Sequence, residues 1–279
     1  MHDQRPTLEG FAQVLDSIAS DPQIPSNFSG WIRATLRTGG WKIRILQHIL
    51  DRPPGSSPPS LLDVGAQAGS LAIYAAELGC RVAAVDYGPY AKTYRPLAMA
   101  RGVDYRECDL GAGRLPFGDR EFDFVSYTDV LEHHSFSSKR VLRELHRVLV
   151  PGGQLFLLTP NHASLYNRCK LLLGRSVNDD LNYFFDTCAD DAVYDGHHRE
   201  YTRAEVKTIL QRTGFRVKEC RVVEPDLAPL LYFWRRDREQ AQCLPMVRDL
   251  LLGALGKLWT ASHLNFGRWI WAIGEKERD

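Results

Sequence analysis

Between residues 60 and 160 short apolar runs alternate with longer amphipathic ones. Strands are expected at Leu61–Val64, Arg81–Val85, Val103–Glu107, Phe122–Tyr127 and Gln154–Leu158, with helices over about Gly69–Leu78, Pro89–Ala100 and Ser137–Leu149. Apolar strands separated by helices predict crossover units and a mostly parallel sheet covered on both faces. A later helix, Thr202–Thr213 closed by Gly214, and strands at Phe215–Val223 and Trp269–Ile273 complete a seven-stranded, doubly wound α/β pattern.

Upstream, Phe11, Val14, Leu15 and Ile18, then Trp41, Ile43, Ile45, Leu46, Ile49 and Leu50, show helical spacing. The Pro, Gly and Ser cluster "DRPPGSSPPS" then divides an N-terminal helical segment, 1–59, from the main domain, 60–279. Two inserts interrupt that domain, at about 161–200 and 225–265, and both are expected to lid a site. In the second, Val247, Leu250, Leu251, Ala254, Leu255 and Leu258 form a helical stripe. With "LLYFWRR", this stripe leaves peripheral membrane contact or a homodimer open.

Composition changes this picture little. With 44% hydrophobic residues, 25% charged and 35 Lys plus Arg against 34 Asp plus Glu, the chain has an ordinary globular balance and no global field for nucleic acid. The start "MHDQRPTLEG" lacks a secretory signal pattern, and no apolar run suits a transmembrane segment, so a cytoplasmic chain is expected. Six cysteines, at 80, 108, 169, 188, 220 and 243, include no Cys-x-x-Cys pair and are read as reduced thiols.

Ligands of an open parallel sheet bind beyond the carboxyl ends of its strands, which directs attention to "LLDVGAQAGS", residues 61–70. A dinucleotide fingerprint begun at Gly65 requires glycines at 67 and 70, where this chain has Gln67 and Ser70. That weakens a nucleotide-dependent oxidoreductase as a rival. The remaining pattern is Asp63, Gly65 and Gly69, with Asp86 ending the second strand and Asp109 following the third.

This arrangement resembles the class I S-adenosylmethionine-dependent methyltransferases. "LPFGDREFDFV", "VLEHH", "LRELHRVLVPGGQLFLLTPN" and "HHREYTRAEVKTILQRTGF" are similar to that superfamily in the same order, over roughly residues 60–223. The resemblance implies a Rossmann-like fold and S-adenosylmethionine as cofactor. It implies that Gly65, Ala66, Gln67 and Gly69 line the donor's amino acid end, with Asp63 shaping the loop. Asp86 would accept from the ribose diol, Asp109 and Leu110 would meet the adenine, and Thr128 would flank the methionine moiety. Late inserts of this kind are similar to those of methyltransferases of bacterial surface-polysaccharide and secondary metabolism, implying a small-molecule or glycan acceptor methylated on oxygen.

An oxygen acceptor benefits from a base, and His133 and His198 are the expected catalytic residues. His134 and His197 adjoin them, while His146 is expected to be structural. Asp129, Glu132 and His133 are also similar to the acidic E-x-x-E-H cluster that binds a divalent metal in ubiquinone-pathway O-methyltransferases, though the expected site contains no metal. A methyltransferase-like scaffold without activity is the second rival.

Overall fold

The computed structural model describes residues 5–278 apart from 26–28, 31, 34, 54–55, 179–180, 182–184, 186–195 and 225–266. The second insert and its leucine stripe therefore lie outside the described residues. Among the described residues, no helix is long and apolar enough to cross a membrane.

The N-terminal helices α1 (Leu8–Ala19) and α2 (Gly39–Leu50) precede the alternating part. Then come β1 (Ser60–Val64), α3 (Ser70–Glu77), β2 (Arg81–Asp86), α4 (Gly88–Ala100), β3 (Asp104–Glu107) and β4 (Phe122–Thr128). They are followed by α5 (Lys139–Val148), β5 (Leu149–Pro160), α6 (Leu165–Leu172), α7 (Arg203–Arg212), β6 (Phe215–Val223) and β7 (Trp269–Lys276). Among the described residues, seven strands form one sheet in the order β3-β2-β1-β4-β5-β7-β6. The pairs from β3 through β5 are parallel, and β7 runs antiparallel to both β5 and β6.

The side-chain period of two divides the strands between two cores. Leu61, Ala84, Phe156 and Trp271 face α1, α2, α3 and α4, where Phe11, Leu15, Ile45, Leu46, Ile73 and Tyr94 pack. Their chain neighbours Leu62, Ala83, Leu157 and Ala272 face α5 and α7, meeting Val141, Leu145, Val206 and Leu210. Both faces are buried, and for that reason stretches such as 82–85 of β2 and 155–158 of β5 are continuously apolar rather than alternating.

Strand order reverses at β1, because β2 and β3 extend the sheet on one side and β4 and β5 on the other. The carboxyl ends of β1, β2 and β4 consequently open together onto one edge, where the helices diverge. Predicted and observed elements differ most at β5, which begins at Leu149 rather than Gln154. "VPGG" reads as a break, yet Phe122 pairs with Leu149 and Phe124 with Gln154, so the strand bulges and resumes. Gly152, at φ +80°, supplies the left-handed conformation this requires. β7 runs on to Lys276 because it pairs with the start of β6, and the Lys276 ammonium donates to the Leu149 carbonyl at 2.8 Å.

Helix α7 starts in a capping box: the Thr202 hydroxyl accepts from the Glu205 amide, and the Glu205 carboxylate accepts from the Thr202 amide. Thr202→Ala is expected to lower stability by about 1 kcal/mol. Urea unfolding of wild type and variant checks this, and an unchanged midpoint would show that the helix start does not depend on the cap.

Candidate active site

The loop after β1 is built from left-handed backbone. Gly65 lies at φ +73°, Gln67 at +47° and Gly69 at +69°, the last as N-cap of α3. A Cβ on Gly65 would stand 2.3 Å from Val130 Cγ2, so glycine is required by both space and conformation. Gln67 adopts the conformation that glycine would supply more easily, and its backbone is held from two sides. Its amide donates to Asp86 Oδ2 at 2.6 Å, and its carbonyl accepts from the Tyr105 hydroxyl at 2.8 Å. The absence of glycine at 67 therefore leaves the turn intact.

Asp86 ends β2 and grips two amides, with Oδ1 accepting from Tyr87 N at 2.7 Å. Burial raises its pKa and the two amide hydrogen bonds oppose that rise. Each carboxylate oxygen retains a second acceptor position, as a diol ligand needs. Asp109 is exposed, and its Oδ1 closes a turn by accepting from Gly111 N at 2.7 Å. Leu110 is half-buried against the core below it. A Cβ on Gly111 would lie 3.0 Å from the Phe136 ring, so Phe136 borders the same loop. Phe136 stacks on His134 at 4.5 Å, and His134 meets the buried Tyr127 hydroxyl through Nε2 at 3.1 Å and the Ser138 hydroxyl through Nδ1 at 3.0 Å. Burial, helped by His133, pushes His134 down to about 4, which keeps it neutral.

A cation that sequence reasoning missed lies beneath the turn. Lys42, from α2, donates to the Ser70 hydroxyl at 3.1 Å, with Asp63 and Asp129 as its electrostatic partners. Burial lowers the Lys42 pKa, and the two acids oppose that fall. Burial raises Asp63 to about 6 against the attraction of Lys42, and it raises Asp129 to about 6 against Lys42 and His197. Lys42 shares the stripe of Ile45, Leu46 and Ile49, an unusual place for a lysine on an amphipathic helix, and that spacing was the available signal. Asp129 follows β4 at φ +57°, and its Oδ1 is buried with no hydrogen-bond partner among the described residues. Thr128, the last residue of β4, is half-buried beside it.

The fourth group gathers around a short 3-10 turn, Leu131–His133. Glu132 is buried and accepts from the Thr159 hydroxyl at 2.9 Å, and burial, reinforced by Asp129, pushes it up to about 8. The His133 ring meets that of His197 edge-on at 5.0 Å, and His197 Nδ1 lies 3.2 Å from Glu200 Oε1. Glu200 is held in turn by Asn167 Nδ2 at 3.1 Å. His198 is exposed, and its amide donates to the Glu132 carbonyl at 2.9 Å. The His197-x-x-Glu200 spacing was legible in the sequence; that its ring approaches Glu132 and His133 was not. Among the described residues, Glu132, His133 and His197 each offer a ligand atom, all within 4.8 Å of one another, which suits a divalent cation. His197, rather than Asp129, completes that set. His146 packs edge-on against Phe215, as a structural residue would.

Fold and loop geometry together are those of a methyltransferase-type sheet with its switch point open beyond β1. A family model described as a methyltransferase domain matches residues 33–219, and the chain belongs to that family, within the class I S-adenosylmethionine-dependent methyltransferases. A ubiquinone biosynthesis O-methyltransferase of Pseudomonas paraeruginosa is 34% identical over 122 residues, 40% of this chain and 49% of that protein. A norajmaline N-methyltransferase of Rauvolfia serpentina is 28% identical over 149 residues, 52% of this chain and 50% of that protein. The chain thus matches about half the length of these relatives. The fold is similar to that of an S-adenosylmethionine-dependent methyltransferase from Mesorhizobium loti, with TM-score 0.51 and 18% identity over 86% of this chain and 99% of that one.

Asp63 links this site to pH. Its folded-state value of about 6 lies above that of an unfolded aspartate, about 3.9. The folded protein thus keeps a proton that the unfolded chain has released, and stability falls as pH rises between the two values. Wild type should lose stability relative to Asp63→Asn from about pH 4 to about pH 6, with a constant difference above that. Denaturant unfolding across this range tests it, and a pH-independent difference would refute the assignment.

Proposed function

We propose that this chain transfers the methyl group of S-adenosylmethionine to a hydroxyl oxygen of a small molecule or glycan, with His197 as the base. The observation that carries the reading is the His197–Glu200 pair: a carboxylate lies against Nδ1, and the ring stands edge-on to His133 beside the cluster beyond β4. The 34% identical O-methyltransferase favours oxygen as the acceptor atom.

When bound, S-adenosylmethionine supplies a methyl group already activated by a sulfonium. Gly65, Ala66, Gln67 and Gly69 shape the backbone around the donor's amino acid end, and Asp63 supports that loop. Lys42 offers its ammonium to the donor's carboxylate. Asp86 accepts from the ribose hydroxyls, Asp109 and Leu110 border the adenine, and Thr128 flanks the methionine chain. His197 takes the acceptor's hydroxyl proton at Nε2 as the oxygen attacks, while Glu200 stabilises the imidazolium that results. His133 and His198 line the acceptor side. Orientation and exclusion of water supply the rest of the catalysis.

Asp86→Ala should weaken S-adenosylmethionine binding by about 1–3 kcal/mol, the scale of hydrogen bonds to a charged group. Titration calorimetry measures this, and an unchanged affinity removes Asp86 from the donor site. His197→Ala should lower methyl transfer by about 100-fold or more with donor affinity retained, and Glu200→Gln should move turnover in the same direction. Transfer of labelled methyl to a panel of hydroxylated acceptors is the readout. Full activity in both variants would overturn the reading.

The convergence of Glu132, His133 and His197 favours a second reading, in which a divalent ion lowers the acceptor hydroxyl's pKa. Such an ion would displace the proton that burial favours on Glu132. The two readings separate in the same assay: transfer that survives exhaustive chelation belongs to the base, and transfer restored only by added Mg²⁺ belongs to the ion.

A further inference from the structure

Helix α6 ends in an apolar surface that the other described residues leave uncovered. Leu171, Leu172 and Leu173 are 57%, 86% and 52% exposed, and farther along the same insert Leu181 and Phe185 are 71% and 76% exposed. Isolated exposed leucines are ordinary; three consecutive ones at a helix end are not. Gly174, at φ +67°, stops the helix immediately behind them.

The helix end itself carries charge of one sign, and Asp179, Asp180 and Asp186 follow farther along the insert. Residues 165–175 contain Arg168, Lys170 and Arg175 and no acid, in a chain whose formal net charge is only +1. Arg168 and Arg175 are exposed, and the Lys170 ammonium lies 5.0 Å from the centre of the Tyr166 ring. An apolar tip ringed by cations and an aromatic matches the layered chemistry of a bilayer whose headgroups are anionic: hydrocarbon beneath, negative charge above, aromatic rings between.

The helix is also fastened to the candidate active site. Asn167, buried on the inner side of α6, donates through Nδ2 to Glu200 Oε2 at 3.1 Å and to the His162 carbonyl at 3.0 Å. The Ser164 hydroxyl caps the helix by accepting from the Asn167 amide. The tip therefore holds a set position relative to the His197–Glu200 pair.

We propose that the end of α6 docks this protein onto an anionic lipid surface, through Leu171, Leu172 and Leu173 with Arg168, Lys170 and Arg175. Surface and site then face the same phase, so an acceptor dissolved in or anchored to the lipid reaches the acceptor side without crossing water. The docking itself stands apart from the methyl-transfer reading; only its consequence for the acceptor rests on it.

Co-sedimentation of the full chain with vesicles tests the proposal. The protein should pellet with phosphatidylcholine vesicles containing phosphatidylglycerol, much less with phosphatidylcholine alone, and the difference should shrink in high salt. The combined variant Leu171→Gln, Leu172→Gln and Leu173→Gln should bind at least tenfold more weakly. Because these side chains are already exposed, its circular dichroism and S-adenosylmethionine affinity should match wild type. Lys170→Gln with Arg175→Gln should lose the preference for anionic vesicles. Failure of the wild type to pellet, or equal pelleting of the leucine variant, would overturn the proposal. So would concentration-dependent dimerisation that the leucine variant abolishes while vesicle binding is absent, since the patch would then serve a second copy. Loss of vesicle binding with labelled methyl transfer intact counts against docking alone; the converse counts against the proposed function alone.

Discussion

The carboxylate of Asp86 and the amide of Gln67, 2.6 Å apart, join the end of one strand to the loop leaving the next. Everything at the sheet edge depends on that bond. The loop runs through three left-handed residues, and only two of them are glycine. For a residue with a side chain this conformation costs about 1–2 kcal/mol, and the charge-assisted bond to Asp86 together with the Tyr105 hydroxyl offsets it. In the function proposed above, the same carboxylate that shapes the loop also accepts from the donor's ribose. On that proposal structure and recognition share one group, and a substitution at 86 is felt by both.

Below that loop the protein gathers charge where water is scarce. Lys42 faces Asp63 and Asp129 across the start of α3, while Glu132 and His197 lie just beyond β4. Two carboxylates sharing one ammonium are each held part-way toward their acid forms by burial. Such groups are expensive for stability, and they are concentrated where a cationic, zwitterionic ligand would be received. The left-handed Asp129, with an oxygen that finds no hydrogen-bond donor among the described residues, belongs to the same pattern of local strain kept at a site.

The N-terminal helices take part directly in this arrangement. α1 and α2 bury Phe11, Leu15, Ile45 and Leu46 in the same core as α3 and the sheet. By covering that face, they bring Lys42 to the turn. On the opposite side of the edge, the segment before α7 returns alongside the end of β5, where Asn161 bridges Tyr201 and the His162 amide donates to the Tyr201 carbonyl at 2.9 Å. That closure sets His197 against His133.

Strand and helix identities were readable because they follow from local periodicity: apolar runs such as 82–85 and 155–158 can only be satisfied by burial on two faces, and that requirement implies the doubly wound sheet. The loop after β1 was readable for a related reason, since its spacing of acid and glycines is itself local. Boundaries failed where pairing overrode propensity, as at "VPGG" in β5. The acceptor side was least legible. The residues proposed for it come from the turn after β4 and the loop before α7, more than 60 positions apart in the chain, and no periodicity records which of several adjacent histidines will turn inward. That choice was made by tertiary packing: Glu200, positioned by Asn167, holds His197, while the amide of the exposed His198 donates to the Glu132 carbonyl.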